Sequence, residues 1–186
     1  MGLWLLILDA CASDPVVTVV QDEVSVRPGP CHGLTDAEHF DFPVGAPDAR
    51  GYFDAQPFGT NRHLGSDWNA VTGGDSDLGA PVFAVARGRV TEVHDHGGGW
   101  GRVVRLVHRH EGRCVESLYA HLSSVDVAVG QPVARGTQLG GIGNVGGRYL
   151  AHLHFEIRTS AGLPLGGGYG VPEGHVDPTA FIEAHR

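Results

Sequence analysis

A chain of 186 residues holds one domain with its own core plus a short appendage. Hydrophobic residues make up 41%, which excludes wholesale disorder, while 29 glycines and 11 prolines leave little room for long helices. A formal net charge of −8 argues against nucleic acid and against an anionic membrane surface as partners.

The chain opens on "MGLWLLILDACASDPVV", a short apolar run, Leu3 to Leu8, followed by small residues and Cys11. This resembles an export leader, and "LDAC" resembles a lipobox in which the cysteine is lipidated. Asp9 and the lack of a Lys or Arg before the run depart from that pattern. A leader over residues 1–11 is expected, with membrane contact only through a lipid on Cys11. Residues 12–37 read as a tether, broken at "RPGPCHG", and residues 38–186 as the domain. Cys31 and Cys114 remain once Cys11 is set aside. In an oxidising compartment they are expected to pair.

Within the domain, "APVFAVARGRVTEVHDHGGG" alternates apolar and polar residues, turns at Arg87-Gly88 and runs into a second strand. "WGRVVRLVHRHEGRCVESLYAHLSS" reads as a hairpin turning at Glu111-Gly112. "VAVGQPVARGTQLGGIGNVGG" gives short strands divided by glycines. "HLHFEIRT" is a further strand, and "VDPTAFIEAHR" starts a short helix at Asp177-Pro178. The fold class is all-β, mostly antiparallel, a sandwich or partly open barrel with few short helices.

Histidine is the compositional oddity, at 12 residues, and it is the commonest metal ligand. HxH occurs at His94/His96, His108/His110 and His152/His154. Alternation puts each pair on one face of a strand. The first two pairs lie near turns, where exposed histidines need no explanation. The third is flanked by Leu150, Leu153, Phe155 and Ile157, where solvent is scarce. Four residues separate His63 from Asp67 in "NRHLGSDW", a turn leading into a strand. A His, an Asp and another His form a three-ligand set for zinc, with water in the fourth place. His121 follows in "LYAHLSS". Asp75 and Asp77 read as a solvated acidic loop.

In this order the segments "HLGSDW", "GAPVFAVARGRV", "YAHLSS", "GQPVARGTQLGGIGNVG" and "HLHFEI" resemble the lysostaphin-type, or LytM, zinc metallopeptidases, over roughly residues 40 to 184. The resemblance implies the duplicated hybrid fold of that family, with the site in a groove on one sheet. It implies Zn2+ held by His63, Asp67 and His154, and His121 and His152 as the catalytic pair. Family members hydrolyse peptide bonds of bacterial peptidoglycan, so the expected partners are its peptides, met by an exported monomer in the cell envelope. Physical chemistry supports amide hydrolysis beside the resemblance. Zinc brings the pKa of a bound water to about 7, and with no H-E-x-x-H glutamate the acid–base work falls to histidine. An acid limb is then expected as the histidines protonate near their ordinary pKa of about 6.5. Glu156 lies on the same face as His152 and His154, as an orienting partner or a salt-bridge residue. Arg148 and Tyr149 stand where the family carries small hydroxylated residues, and reshape one wall. The rival reading is a LytM-type regulator that activates cell-wall amidases without catalysis. Such domains have lost ligands, whereas all five positions are occupied here. A carbohydrate-binding sandwich using Trp68 or Trp100 as a sugar platform leaves the histidines unexplained.

Overall fold

The computed structural model describes residues 29–186. The expected leader, Cys11 and the tether up to residue 28 lie outside the described residues. The strands are β1 (Tyr52–Gln56), β2 (Ser66–Ala70), β3 (Pro81–Phe83), β4 (Gly88–Asp95), β5 (Arg102–His110), β6 (Arg113–Leu122), β7 (Ser124–Val125), β8 (Pro132–Val133), β9 (Gln138–Gly141), β10 (Leu153–Arg158) and β11 (His175–Val176). One α-helix, α1 (Pro178–Ala184), closes the chain. Its start is as expected: Pro178 opens it, and the Asp177 carboxylate accepts a hydrogen bond from the Ala180 N–H. No helix among the described residues is long and apolar enough to cross a membrane.

Two antiparallel sheets carry the fold, as the alternation predicts. The larger has the order β1-β2-β10-β6-β5-β4-β8, with β11 also on β10, and the smaller the order β3-β9-β7. The β5–β6 hairpin turns at Glu111-Gly112, both residues having positive φ. The core lies between the sheets. Strand β10 sends Leu153, Phe155 and Ile157 into it, all fully buried, and each such side chain contributes about 1.5–3 kcal/mol. Tyr119 lies directly opposite Phe155 in the register and packs against it, ring centroids 5.2 Å apart.

The other face of the large sheet is also buried. The segment 159–174 folds back across it, and Leu165 packs on Val103, Leu118 and Ala120. His154, Glu156 and Arg158 of β10 therefore sit beneath protein rather than water.

Residues 31–37, expected in the tether, are fastened to the domain. Cys31 is bridged to Cys114, the pairing anticipated from the cysteine count. Asp36 forms a bridge with Arg109, and Ala37 is buried and donates its N–H to the Arg109 carbonyl. The disulfide closes a loop with a sequence separation of 83, and such a link contributes about 2–4 kcal/mol.

His108 and His110 were expected near an exposed turn, and both are buried instead. They lie on the core face of β5, where the chain from Ala37 to Phe40 and helix α1 cover the hairpin. The His108 Nδ1–H donates to the Arg87 carbonyl at 2.8 Å, and Nε2 lies 2.7 Å from the Ser117 hydroxyl. Burial pushes its pKa down to about 4. The hydrogen bond to Arg87 opposes the shift, and the neighbouring His110 adds to it. The folded state thus binds fewer protons here than the unfolded chain between about pH 6.5 and pH 4. The stabilising contribution is fully present above pH 6.5 and is lost as pH falls towards 4. A His108→Gln variant should show a flatter stability–pH profile than the parent over this interval, by on the order of 3 kcal/mol. Urea denaturation of both proteins at pH 7 and pH 4.5 measures it. Parallel profiles would mean that His108 is not held neutral.

Candidate metal centre and groove

Strand pairing builds the site. β10 lies between β2 and β6, and its register sets His154 opposite Asp67 on one side and Ala120 on the other. His63 stands just before β2, after the short 3-10 turn Thr60–Arg62. It is held by an isolated bridge to Tyr169. Gly65 lies between the two donors because the chain crosses β10 closely there. A Cβ at this position would lie 2.5 Å from the Phe155 carbonyl oxygen and 3.0 Å from Cε1 of His154.

The three expected ligands converge. His63 Nε2 is 3.0 Å from His154 Nδ1 and 3.4 Å from Asp67 Oδ1, and His154 Nδ1 is 2.9 Å from that same oxygen. Ligands on a tetrahedral zinc, with bonds of about 2.0–2.1 Å, lie about 3.3 Å from one another, so the set fits such an ion. Their tautomers fit as well. The His63 Nδ1–H donates to the Gln56 carbonyl at 2.9 Å, which leaves Nε2 bare. The His154 Nε2–H donates to Glu156 at 2.9 Å, which leaves Nδ1 bare. Two lone pairs and a carboxylate thus point at one place, and only a cation relieves the repulsion between them. A proton is one such cation. Burial alone would lower the His154 pKa, but hydrogen bonds to Asp67 and Glu156 outweigh it and raise it to about 9. Burial likewise opposes ionisation of the two carboxyls. With that proton on Nδ1, His154 donates to Asp67 as well as to Glu156, and this, with His63 close to Asp67 and His175 close to Glu156, holds both carboxyls well below the usual carboxylate range.

Both readings of Glu156 are realised, since it also takes a hydrogen bond from Arg158 Nε at 2.6 Å. From there a buried ionic chain crosses the sheet. Arg158 lies 3.6 Å from Glu116, Glu116 takes a hydrogen bond from Arg105 at 2.5 Å, and Arg105 reaches Glu92 at 3.2 Å. Arg105 and Arg158 also donate to carbonyls of the covering segment, including that of Leu163. Sequence reading passed over Arg105, Glu116 and Arg158. The signal for Arg158 was present, because the alternation that pairs His154 with Glu156 extends to it.

His121 and His152 stand beside the triad, with ring centroids 4.7 Å apart. Strict alternation on β6 would turn His121 into the core, next to Tyr119. A bulge prevents this: the β5–β6 register shifts between Arg102 and Val104, and His121 takes a left-handed φ of 64°. Its ring then joins the site face, 5.7 Å from that of His154. The His121 Nδ1–H donates to the Trp100 carbonyl at 3.1 Å and the His152 Nδ1–H to the Leu150 carbonyl at 2.8 Å. Each ring thereby presents a bare Nε2. Burial, then the charges of His154 and His152, push the His121 pKa down to about 3, against the pull of its hydrogen bond to the Trp100 carbonyl and the charge of Asp67.

The five residues line one cavity of about 470 Å³, whose walls include Trp100, Tyr149 and Tyr169. Tyr149 shapes the wall as anticipated, 5.2 Å from the His121 ring, while Arg148 is exposed and lines none of it. Trp100 is fixed by its indole N–H on the Gly166 carbonyl. Trp68 is a core residue, 5% exposed, and offers no platform. The expected solvated loop is anchored instead. The Asp75 carboxylate accepts the Ala151 N–H at 2.6 Å, just ahead of His152, and buried Asp77 accepts the Ala70 N–H at 2.9 Å.

The model of peptidase family M23 matches residues 61–166, more than half of the chain, and the chain belongs to that family. Its fold is the lysostaphin-type fold that the motif order implied. The DD-carboxypeptidase/endopeptidase Mpg of Neisseria meningitidis serogroup B is 37% identical over 114 residues, covering 60% of this chain and 25% of its own length. A structure described as an M23 peptidase from Pseudomonas aeruginosa is 29% identical, with a TM-score of 0.58, covering 86% of this chain and 56% of that one. The catalytic domain of the antimicrobial peptidase lysostaphin from Staphylococcus simulans shares the fold, with a TM-score of 0.51 at 24% identity, covering 78% of this chain and 89% of that one. The chain spans about a quarter of the length of the curated relatives it matches.

The left-handed backbone at His121 gives a test of the bulge. A non-glycine residue in this conformation costs about 1–2 kcal/mol. His121→Gly should therefore be more stable than His121→Ala by about 1 kcal/mol, the reverse of the ordinary order within a strand. Denaturant midpoints of the two variants decide this, and an alanine variant at least as stable as the glycine one would contradict the bulge.

Proposed function

We propose that this chain is a zinc metalloendopeptidase that hydrolyses peptide bonds in bacterial peptidoglycan, in a cross-bridge or stem peptide. The observation that carries the reading is the convergence of two bare imidazole nitrogens and a carboxylate beside two further bare imidazoles in one open cavity. His63, Asp67 and His154 would hold the ion. When bound, zinc supplies a Lewis acid and brings the pKa of a coordinated water to about 7.

The chain's own groups do the rest. His121 Nε2 and His152 Nε2 are free to accept the proton of the attacking water and to return one to the leaving amine nitrogen. The protonated ring is a hydrogen-bond donor beside the oxyanion that develops as the amide carbon is attacked. The carbonyls of Trp100 and Leu150 fix both tautomers, so neither ring has to reorganise. Trp100, Tyr149 and Tyr169 offer apolar faces and the tyrosines hydroxyls, which suits an uncharged peptide. Peptidoglycan is supported by the motif order and by relatives that include an endopeptidase and an antimicrobial peptidase. Export is supported by the Cys31–Cys114 bridge, which belongs to an oxidising compartment. The complete donor set favours catalysis over the regulator reading.

His63→Ala and His154→Ala should each hold one equivalent of zinc fewer than the parent by elemental analysis, the equivalent lost being that of the groove. His121→Ala and His152→Ala should keep it while hydrolysis of purified muropeptides, read by mass spectrometry, falls by on the order of 10²-fold or more. Chelation should abolish the wild-type activity and zinc should restore it. A wild-type protein that holds zinc yet cleaves no muropeptide would favour the regulator. Loss of metal in His121→Ala or His152→Ala would overturn the division of roles.

A further inference from the structure

The turn joining β5 to β6, at the opposite end of β6 from His121, carries a second group of donors. His110, Glu111 and His185 each offer one donor atom, and these atoms lie within 4.8 Å of one another. His110 closes β5, Glu111 stands in the turn, and His185 follows helix α1. Three separate features of the fold bring them together: the hairpin, the docking of α1, and the N-terminal stretch that the Cys31–Cys114 bridge ties down.

The chemistry of the two rings is set as it is in the groove. The His110 Nδ1–H donates to the Ala37 carbonyl at 2.8 Å. The His185 Nδ1–H donates to the Phe181 carbonyl at 2.7 Å. Each ring is thus left with an unprotonated Nε2. The rings meet edge to face with centroids 4.6 Å apart, and Phe40 and Phe181 pack around them. His110 is 9% exposed, and its Nε2 is buried without a hydrogen-bond partner. A buried acceptor left in that state costs about 1–3 kcal/mol. With both Nδ1 atoms committed to carbonyls, a neutral ring has no N–H left to offer the other, and a carboxylate only accepts.

We propose that His110, Glu111 and His185 form a second metal site, for a divalent first-row transition ion. Two imidazoles and one carboxylate suit zinc, cobalt or nickel rather than calcium or magnesium, which prefer oxygen donors. Glu111 is exposed and His185 half-buried, so the ion enters from solvent and completes its shell with water. The site braces the molecule: the ion links the end of α1 to the hairpin that already carries the disulfide. It is independent of the groove and stands whether or not the groove is catalytic.

The test uses the full chain, stripped of metal and titrated with Co2+, with binding read by equilibrium dialysis and by visible absorption. His63→Ala removes the groove site and should still bind one equivalent, with a rise in Tm. Adding His185→Gln to it should abolish that equivalent and the rise. Adding Glu111→Gln, a change at an exposed turn residue that leaves the packing intact, should weaken the binding by about tenfold or more. A His63→Ala protein that binds no Co2+ would overturn the proposal. So would an equivalent whose affinity is untouched by both His185→Gln and Glu111→Gln.

Discussion

Strand β10 is hydrogen-bonded to β2 along one edge and to β6 along the other, and the site depends on that insertion. The β2 register sets Asp67 against His154, and the β6 register sets Ala120 there. A slip of one residue would send His154 and Glu156 into the core and turn Phe155 and Ile157 into the polar face that holds the donors. The same burial of Leu153, Phe155 and Ile157 that stabilises the sheet therefore fixes where the donors stand. The register enforced by the core thus places Asp67 and His154 together, while His121 joins them through the bulge at the end of β6.

Burial on both faces of β10 is what sets the chemistry. The segment 159–174 covers the donor face, so His154, Glu156 and Arg158 are in a low-dielectric setting where an unpaired charge is costly. Each is paired. Glu156 is shared by His154 and Arg158, and Arg158 leads through Glu116 to Arg105. The same arginines hold carbonyls of the covering segment, which returns as a wall of the groove through Gly168 and Tyr169. The orientation of one ligand ring and the position of one wall are thus fixed by one ionic chain. Removing a single member of such a chain leaves a buried charge behind, so its parts are expected to act together.

Much of this was legible in the sequence. Alternation gave the strands, the Glu111-Gly112 hairpin and the Asp177 cap. The motif order gave all five groove residues, which the fold brings into one cavity. Contacts between distant segments were less legible. Nothing local marks Asp75 as a partner of Ala151, since the bond joins residues 76 apart in the chain. The burial of His108 and His110 depends on α1 and residues 37–40 arriving over a hairpin end that reads as exposed. The bulge at His121 leaves no trace in an alternation pattern. That ring reaches the site only because the pattern is broken there.

Remote hydrogen bonds choose which nitrogen of His63 and of His154 is bare. The most direct test is a long-range proton–nitrogen correlation spectrum of the uniformly 15N-labelled, zinc-loaded protein, with ring signals assigned by single substitutions. Opposite tautomers are expected for the two rings. His154 should carry its proton on Nε2, towards Glu156, with Nδ1 on the metal. His63 should carry its proton on Nδ1, towards the Gln56 carbonyl, with Nε2 on the metal. A spectrum with both rings in the same tautomer, or with either ring averaging between the two, would contradict it.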